Sequence, residues 1–186
     1  MKKRFAFLAI TLLVFLALQT TFHAKAQSGQ VPIIWQYDVG TVVYMVDISN
    51  DGQYIVVGTQ NALYFFERSS STPVWSVNMG HPNVGISGDG RYIVAGAFSN
   101  VGHVYLYDRS NSSPLWNYSG NSVAISNDGN YISVPYSLGD HWVGLLSRAT
   151  GQPVWTAQHG HGDMDFTAIS NMGEYVVAGD DSGGVY

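Results

Sequence analysis

A short phrase, Ile-Ser-x-x-Gly, recurs four times along the 186-residue chain: Ile48–Gly52, Ile86–Gly90, Ile125–Gly129 and Ile169–Gly173. A tyrosine stands two residues beyond each glycine, at Tyr54, Tyr92, Tyr131 and Tyr175. A tryptophan recurs at Trp35, Trp75, Trp116 and Trp155, with spacings of 40, 41 and 39. An arginine recurs at Arg68, Arg109 and Arg148. Several markers in phase at one period mean repeated supersecondary units. A unit of about 40 residues cannot bury a core alone, so neighbouring units must cover each other's faces.

Each period reads as four short strands; in the first they fall at about 42–49, 54–59, 62–68 and 73–78. Asp-Gly between the first two is a hairpin signal, because both residues tolerate positive φ. Tyr54–Val57 and Tyr92–Ala95 are nearly continuous apolar runs, as expected of strands covered on both faces. Abundant glycine (21 residues), 13% aromatics and only 11% charged residues suit many short strands and tight turns. No segment after Gln27 carries a helical period with caps. The expectation is an all-β partial β-propeller of about four four-stranded blades, at about 42–78, 83–118, 121–158 and an incomplete 165–186.

Within that frame the recurrent Trp opens the outermost strand, where its ring fills the gap between blades. The recurrent Arg reads as a solvated strand end, able to pair with Glu67 or Asp108 beside it at a worth of about 0–1 kcal/mol.

The stretch Ala149-Thr150-Gly151-Gln152-Pro153-Val154-Trp155 resembles the end of a repeat in quinoprotein-like (PQQ-like) propellers. Asp51-Gly52 through Tyr64 to Trp75, and Asp89-Gly90 through Tyr105 to Trp116, follow the same order. The Ser-x-Asp-Gly turn is also similar to that of WD-repeat propellers, although no Trp-Asp dipeptide closes a repeat. The resemblance covers nearly all of 32–186 and implies architecture more than activity, since propellers host many functions. Quinoprotein dehydrogenases use a larger complete propeller, a metal ion beside the quinone and often a vicinal cysteine pair. This chain has no cysteine, too few blades, and Gly144 where the other repeats carry the strand tyrosine.

Residues 27–186 make four periods of about 40. The fourth stops at Gly184-Val185-Tyr186, the place of Tyr64 and Tyr105, while the strand around Trp35 belongs to no unit of its own. Two arrangements follow. The chain is a truncated product or fragment of a propeller with more blades, or the Trp35 strand completes the fourth blade and closes a ring of four. The short last strand favours the fragment.

Residues 1–26 read as a signal peptide. Lys2, Lys3 and Arg4 precede an apolar run over Phe5–Leu18, and Ala24-Lys25-Ala26 prepares a cut before Gln27. The run falls short of the ~20 apolar residues of a spanning helix. The expected protein is secreted or held at the cell surface, with no membrane span after cleavage. From Gln27 onward four arginines face 13 acids, a net charge of 4 − 13 = −9. Such a body repels phosphate backbones, so nucleic acid is not an expected partner.

Loops on a propeller segregate to two faces. All five histidines of the body (His81, His103, His141, His159, His161) fall in or beside the second-to-third and blade-to-blade links, on one face. Two links there are enlarged, at 137–142 and 158–165. Asp140, His141 and Trp142, with His81 and His103, are candidate ligand contacts. His159, His161, Asp163 and Asp165 supply imidazole and carboxylate groups suited to a divalent ion such as Zn²⁺. Solvated Gly-flanked loops have the same composition, and no Gly-x-Ser-x-Gly elbow or phosphate-cradling loop is present. The expectation is a non-catalytic binding module with no obligatory cofactor, taking a protein, glycan or small-molecule ligand. The alternative is a quinone- or metal-dependent oxidoreductase or hydrolase on the His-bearing face.

Overall fold

A computed structural model describes residues 32–97, 102–136, 142–158 and 164–186, with Met164 and Asp165 described by their backbone. The fold lies in the unit Ile34–Tyr186. It is all-β. Blade one is β1 (Val43–Ile48), β2 (Tyr54–Thr59), β3 (Ala62–Glu67) and β4 (Trp75–Asn78). Blade two is β5 (Pro82–Ile86), β6 (Tyr92–Ala97), β7 (His103–Asp108) and β8 (Pro114–Ser119). Blade three is β9 (Ala124–Ile125), β10 (Tyr131–Tyr136), β11 (Trp142–Ser147) and β12 (Pro153–Gln158). Blade four holds β13 (Met164–Ile169) and β14 (Val176–Asp180), extended by a bridge from Gly179 to Val185. Each complete blade is an antiparallel meander in chain order. No helix among the described residues is long and apolar enough to cross a membrane.

The recurrent phrase builds the turn joining the first two strands. Ser49 Oγ donates to Asp51 Oδ1 (2.6 Å) and accepts the Tyr54 N–H (3.1 Å), while Asp51 Oδ1 also accepts the Gln53 N–H (2.9 Å). Ser87–Asp89–Tyr92 and Ser126–Asp128–Tyr131 repeat the pattern. The glycine that follows is left-handed in every case, with φ from +66° to +76° at Gly52, Gly90, Gly129 and Gly173, a region closed to most residues. In blade four Met172 replaces the aspartate, and Ser170 Oγ keeps only the Tyr175 N–H (3.0 Å). Adjacent turns are stitched together: the Asn50 N–H donates to Gly88 O (3.0 Å), Gly88 N–H to Asn127 O (2.8 Å) and Asp128 N–H to Asn171 O (3.1 Å).

The core sits between blades. Val56, Leu63 and Phe65 of blade one pack against Val84, Ile86, Ile93, Ala95 and Tyr107 of blade two. Val94, Val104 and Leu106 of blade two meet Val123, Ile132, Val134 and Leu146 of blade three. Val143 of blade three meets Ala178 and Val176 of blade four. The second strands of blades two and three are therefore covered on both faces, while β2, with a neighbour on one side, keeps Ile55 and Val57 half-buried. Burial of a side chain of this size stabilises by about 1.5–3 kcal/mol.

The tryptophans lock these seams, as their position in the repeat predicts. Trp75 stacks on Phe65 of its own blade (5.1 Å) and donates its indole N–H to Arg109 O of the next blade (2.9 Å). The Trp116 indole donates to Arg148 O (2.8 Å), and Trp35 stacks on Phe66 while donating to Arg68 O (2.7 Å). The arginine reading needs correction. Arg109 lies over the ring of Tyr54 at 4.4 Å, and Arg148 over that of Tyr92 at 4.3 Å, with a bond to the phenol (3.0 Å). Each crosses a seam to cap the previous blade's tyrosine. Asp108 pairs with Arg91 instead (3.1 Å). A guanidinium prefers an aromatic face it can dehydrate partly to an exposed carboxylate screened by water.

Candidate functional site

Three turns of the repeat are fully absorbed in structure. On their face the displaced carboxyls serve the fold: the Ser49 hydroxyl and the Gln53 amide hold Asp51 below the ordinary carboxylate range. At Asp89 and Asp128 burial pushes upward, but the Ser87 and Ser126 hydroxyls and the following amides outweigh it, and both lie low. The opposite face carries the second-to-third and blade-to-blade links, and there the repeat is broken.

Trp142 opens β11, where blades one and two place Ala62 and His103. Its ring stacks on Tyr136, the last residue of β10 (5.3 Å), and meets Tyr118 of β8 edge-on (6.0 Å). Gly144 explains how the ring fits. A Cβ there would lie 2.7 Å from Trp142 Cζ3, so the missing strand tyrosine makes room for the indole. The result is an aromatic cluster at the mouth of the seam between blades two and three. Aromatic side chains carry large apolar area with little rotamer entropy, which suits them to anchoring a partner.

His81 sits in the link from β4 to β5, with φ of +48°, the sole positive φ outside glycine among the described residues. Its N–H donates to Gln60 O (3.2 Å), and its ring lies 5.0 Å from Tyr44. His103 opens β7, its ring 6.2 Å from Tyr105. A groove of about 380 Å³ runs between blades one and two; Gly80, the neighbour of His81, lines it together with Met79, Ala97 and Tyr105. On the same face Asp180 is a closed carboxylate. It accepts the Gly184 N–H (2.7 Å), the Ser182 hydroxyl (2.8 Å) and amide (3.0 Å), and the Tyr186 phenol (3.0 Å), and these hold its pKa at about 2.

Of the expected site residues, the structure thus places His81, His103 and Trp142 on one face, His81 beside Tyr44, His103 beside Tyr105 and Trp142 at the seam between blades two and three. Asp140, His141, His159, His161 and Asp163 lie outside the described residues, as does the side chain of Asp165. Among the described residues no group of three His, Cys, Asp or Glu side chains comes together as a metal site. Tyr44, Tyr118 and Tyr136 join these residues in the structure without being expected site residues. Tyr136 and Trp142 bracket the enlarged link, and an aromatic residue at each foot of a long loop is a signal that position alone carried.

No family model matches the chain, and no curated protein matches it. The crystal structure of the RRP9 WD40 repeats superposes on 77% of this chain with a TM-score of 0.64 at 16% identity. The chain has the fold of β-propeller blades. It spans 46% of that structure. At this identity the likeness is one of fold.

Proposed function

We propose that this protein is an exported, non-catalytic propeller of the PQQ-like repeat type that binds a protein partner through its His-bearing loop face. The observation that carries this reading is the Trp142–Tyr136–Tyr118 cluster. At the seams between blades one, two and three the repeated Ser, Asp, Tyr, Trp and Arg side chains are consumed by turns and packing, whereas Trp142 departs from the repeat and is fitted by a second departure, Gly144. His81 and His103 extend the same surface and add imidazole hydrogen-bonding groups. The WD-like fold supports an interaction role, because such blades present loops on a rigid scaffold. Export rests on the charged start, the apolar run and the Ala-x-Ala before Gln27.

The test has three arms. Cross-linking in the producing cells should capture a partner with the parent protein and with Trp155→Ala, and lose it with Trp142→Ala while circular dichroism stays unchanged. Equal capture by Trp142→Ala overturns the assigned surface. Terminal sequencing of protein from the medium should start at Gln27; a start at Met1 inside the cell overturns export. Stoichiometric quinone, or a metal lost in His161→Ala, would replace the module by the enzyme alternative.

A further inference from the structure

Three tryptophans, Trp35, Trp75 and Trp116, donate their indole N–H to the backbone of the blade they pack on. In extended chain the side chain two residues further on lies on the same face, so it meets the same blade. Beyond Trp35 and Trp116 that residue is a tyrosine. The Tyr37 ring lies 5.4 Å from Phe66 and 6.2 Å from Tyr64, and the Tyr118 ring 6.0 Å from Trp142. Beyond Trp75 the place is taken by Val77, which packs on the core that contains Tyr107. The repeat thus supplies a phenol ring at two such contacts and omits it at the seam between blades one and two.

The room left over is the groove of about 380 Å³ at that seam, lined by Val77, Met79, Tyr105 and Tyr107, with Asn78 and Ser112 as polar lining. Tyr107 is a second departure from the repeat, because blades one and three carry Phe66 and Leu146 in its place. Its side chain is only 1% exposed, yet its hydroxyl makes no hydrogen bond among the described residues. Burial pushes its pKa up to about 12, so the phenol keeps its proton at ordinary pH. Buried hydroxyls are normally paired, and one left unpaired at a groove marks a place for a partner. The rings of Trp75 and Tyr105 stand 5.8 and 6.3 Å from that of Tyr107.

We propose that this groove binds a free monocyclic phenol, whose ring takes the place that Tyr37 and Tyr118 fill elsewhere and whose oxygen accepts the hydrogen bond of the Tyr107 hydroxyl. The size of the ring is set by the repeat itself: the omitted group is a phenol, and Val77 leaves its space open. The walls suit a flat ring, since tyrosine faces and edges and a methionine sulfur all make favourable contacts with aromatic groups. Apolar space of this kind takes up small aromatic molecules. The unpaired donor of Tyr107 selects a ring that carries oxygen over a plain hydrocarbon. The site lies at a different seam from the Trp142 cluster and does not rest on the partner-binding role given to that surface.

The experiment is titration of the purified full chain, followed by saturation-transfer NMR, with p-cresol and with toluene, the same ring without the hydroxyl. p-Cresol should saturate with a Kd of about 1 mM, and toluene should bind about three- to tenfold more weakly, the scale of one net hydrogen bond. Val77→Tyr restores the repeat's own ring and should abolish p-cresol binding, with thermal unfolding at or above that of the parent. Tyr107→Phe keeps the ring, copies the residue blade one already has, and should lower p-cresol to the affinity of toluene while leaving toluene unchanged. This second variant decides the matter even if the first fails to fold. No saturable p-cresol binding up to about 5 mM, a ceiling set by millimolar affinity, would overturn the proposal. So would equal affinity for toluene, full binding by folded Val77→Tyr, or an unchanged p-cresol affinity in Tyr107→Phe. Tighter binding of N-acetyltyrosinamide than of p-cresol would overturn the free ligand in favour of a tyrosine side chain.

Discussion

The seam between blades one and two and the bare face of blade one are made of the same residues in the same register. Val84 and Ile86 are sealed at the seam; Val46 and Ile48, their equivalents, face solvent. The difference lies in the neighbour and not in the strand. A repeat therefore has no intrinsic core: the phrase Ile-Ser-x-x-Gly fixes a turn, and the stability of the apolar residues around it is supplied by the next sheet.

Substitutions that remove the same group from a covered and an uncovered place should separate by this rule. The largest gap is expected between tryptophans. Trp75→Ala should cost about 3–5 kcal/mol in urea unfolding, since it empties a seam and orphans Arg109 O. Trp155→Ala should cost about 1 kcal/mol or less, because Trp155 is exposed and donates no hydrogen bond among the described residues. Equal costs would break the comparison. Next, Ile86→Ala should lose about 2–5 kcal/mol and Ile48→Ala no more than about 0.5 kcal/mol. A smaller gap separates the arginines. Arg148→Ala removes the cap of Tyr92 and should cost about 1–2 kcal/mol, whereas Arg68→Ala should leave unfolding unchanged.

The smallest effect concerns acid. Asp51, Asp89 and Asp128 sit below their unfolded value of 3.8, so their contribution is complete above that pH and is lost as pH falls below it toward the folded values. Stability should be flat above pH 4 and decline beneath it. Met172→Asp would supply blade four with the missing carboxylate. It should raise stability slightly at neutral pH and steepen the acid decline; an unchanged acid slope would deny the turn its electrostatic role.

Much of this was legible because a repeat displays itself. The period, the hairpin turns, the double-covered second strand of blade two and the Trp at the seam all follow from spacing and apolar runs. What sequence did not show is where long polar side chains turn. Arg109 and Arg148 have carboxylates or hydroxyls one residue away, yet reach across a seam to tyrosines 55 and 56 positions earlier. No local pattern encodes a contact that depends on how one sheet rotates over another. The candidate site was legible in part, since loop position placed His81, His103 and Trp142 on one face. Tyr118 and Tyr136 joined Trp142 only through packing, and the space left by Gly144 is visible only in three dimensions.

The sharpest examination of blade-on-blade locking is exchange of the indole N–H protons followed by NMR, with each of the five tryptophans assigned by single substitution. The Trp75 and Trp116 signals should persist long after that of Trp155 has vanished, because two are held by carbonyls of the next blade and one is not. Loss of all three at one rate would contradict the whole account.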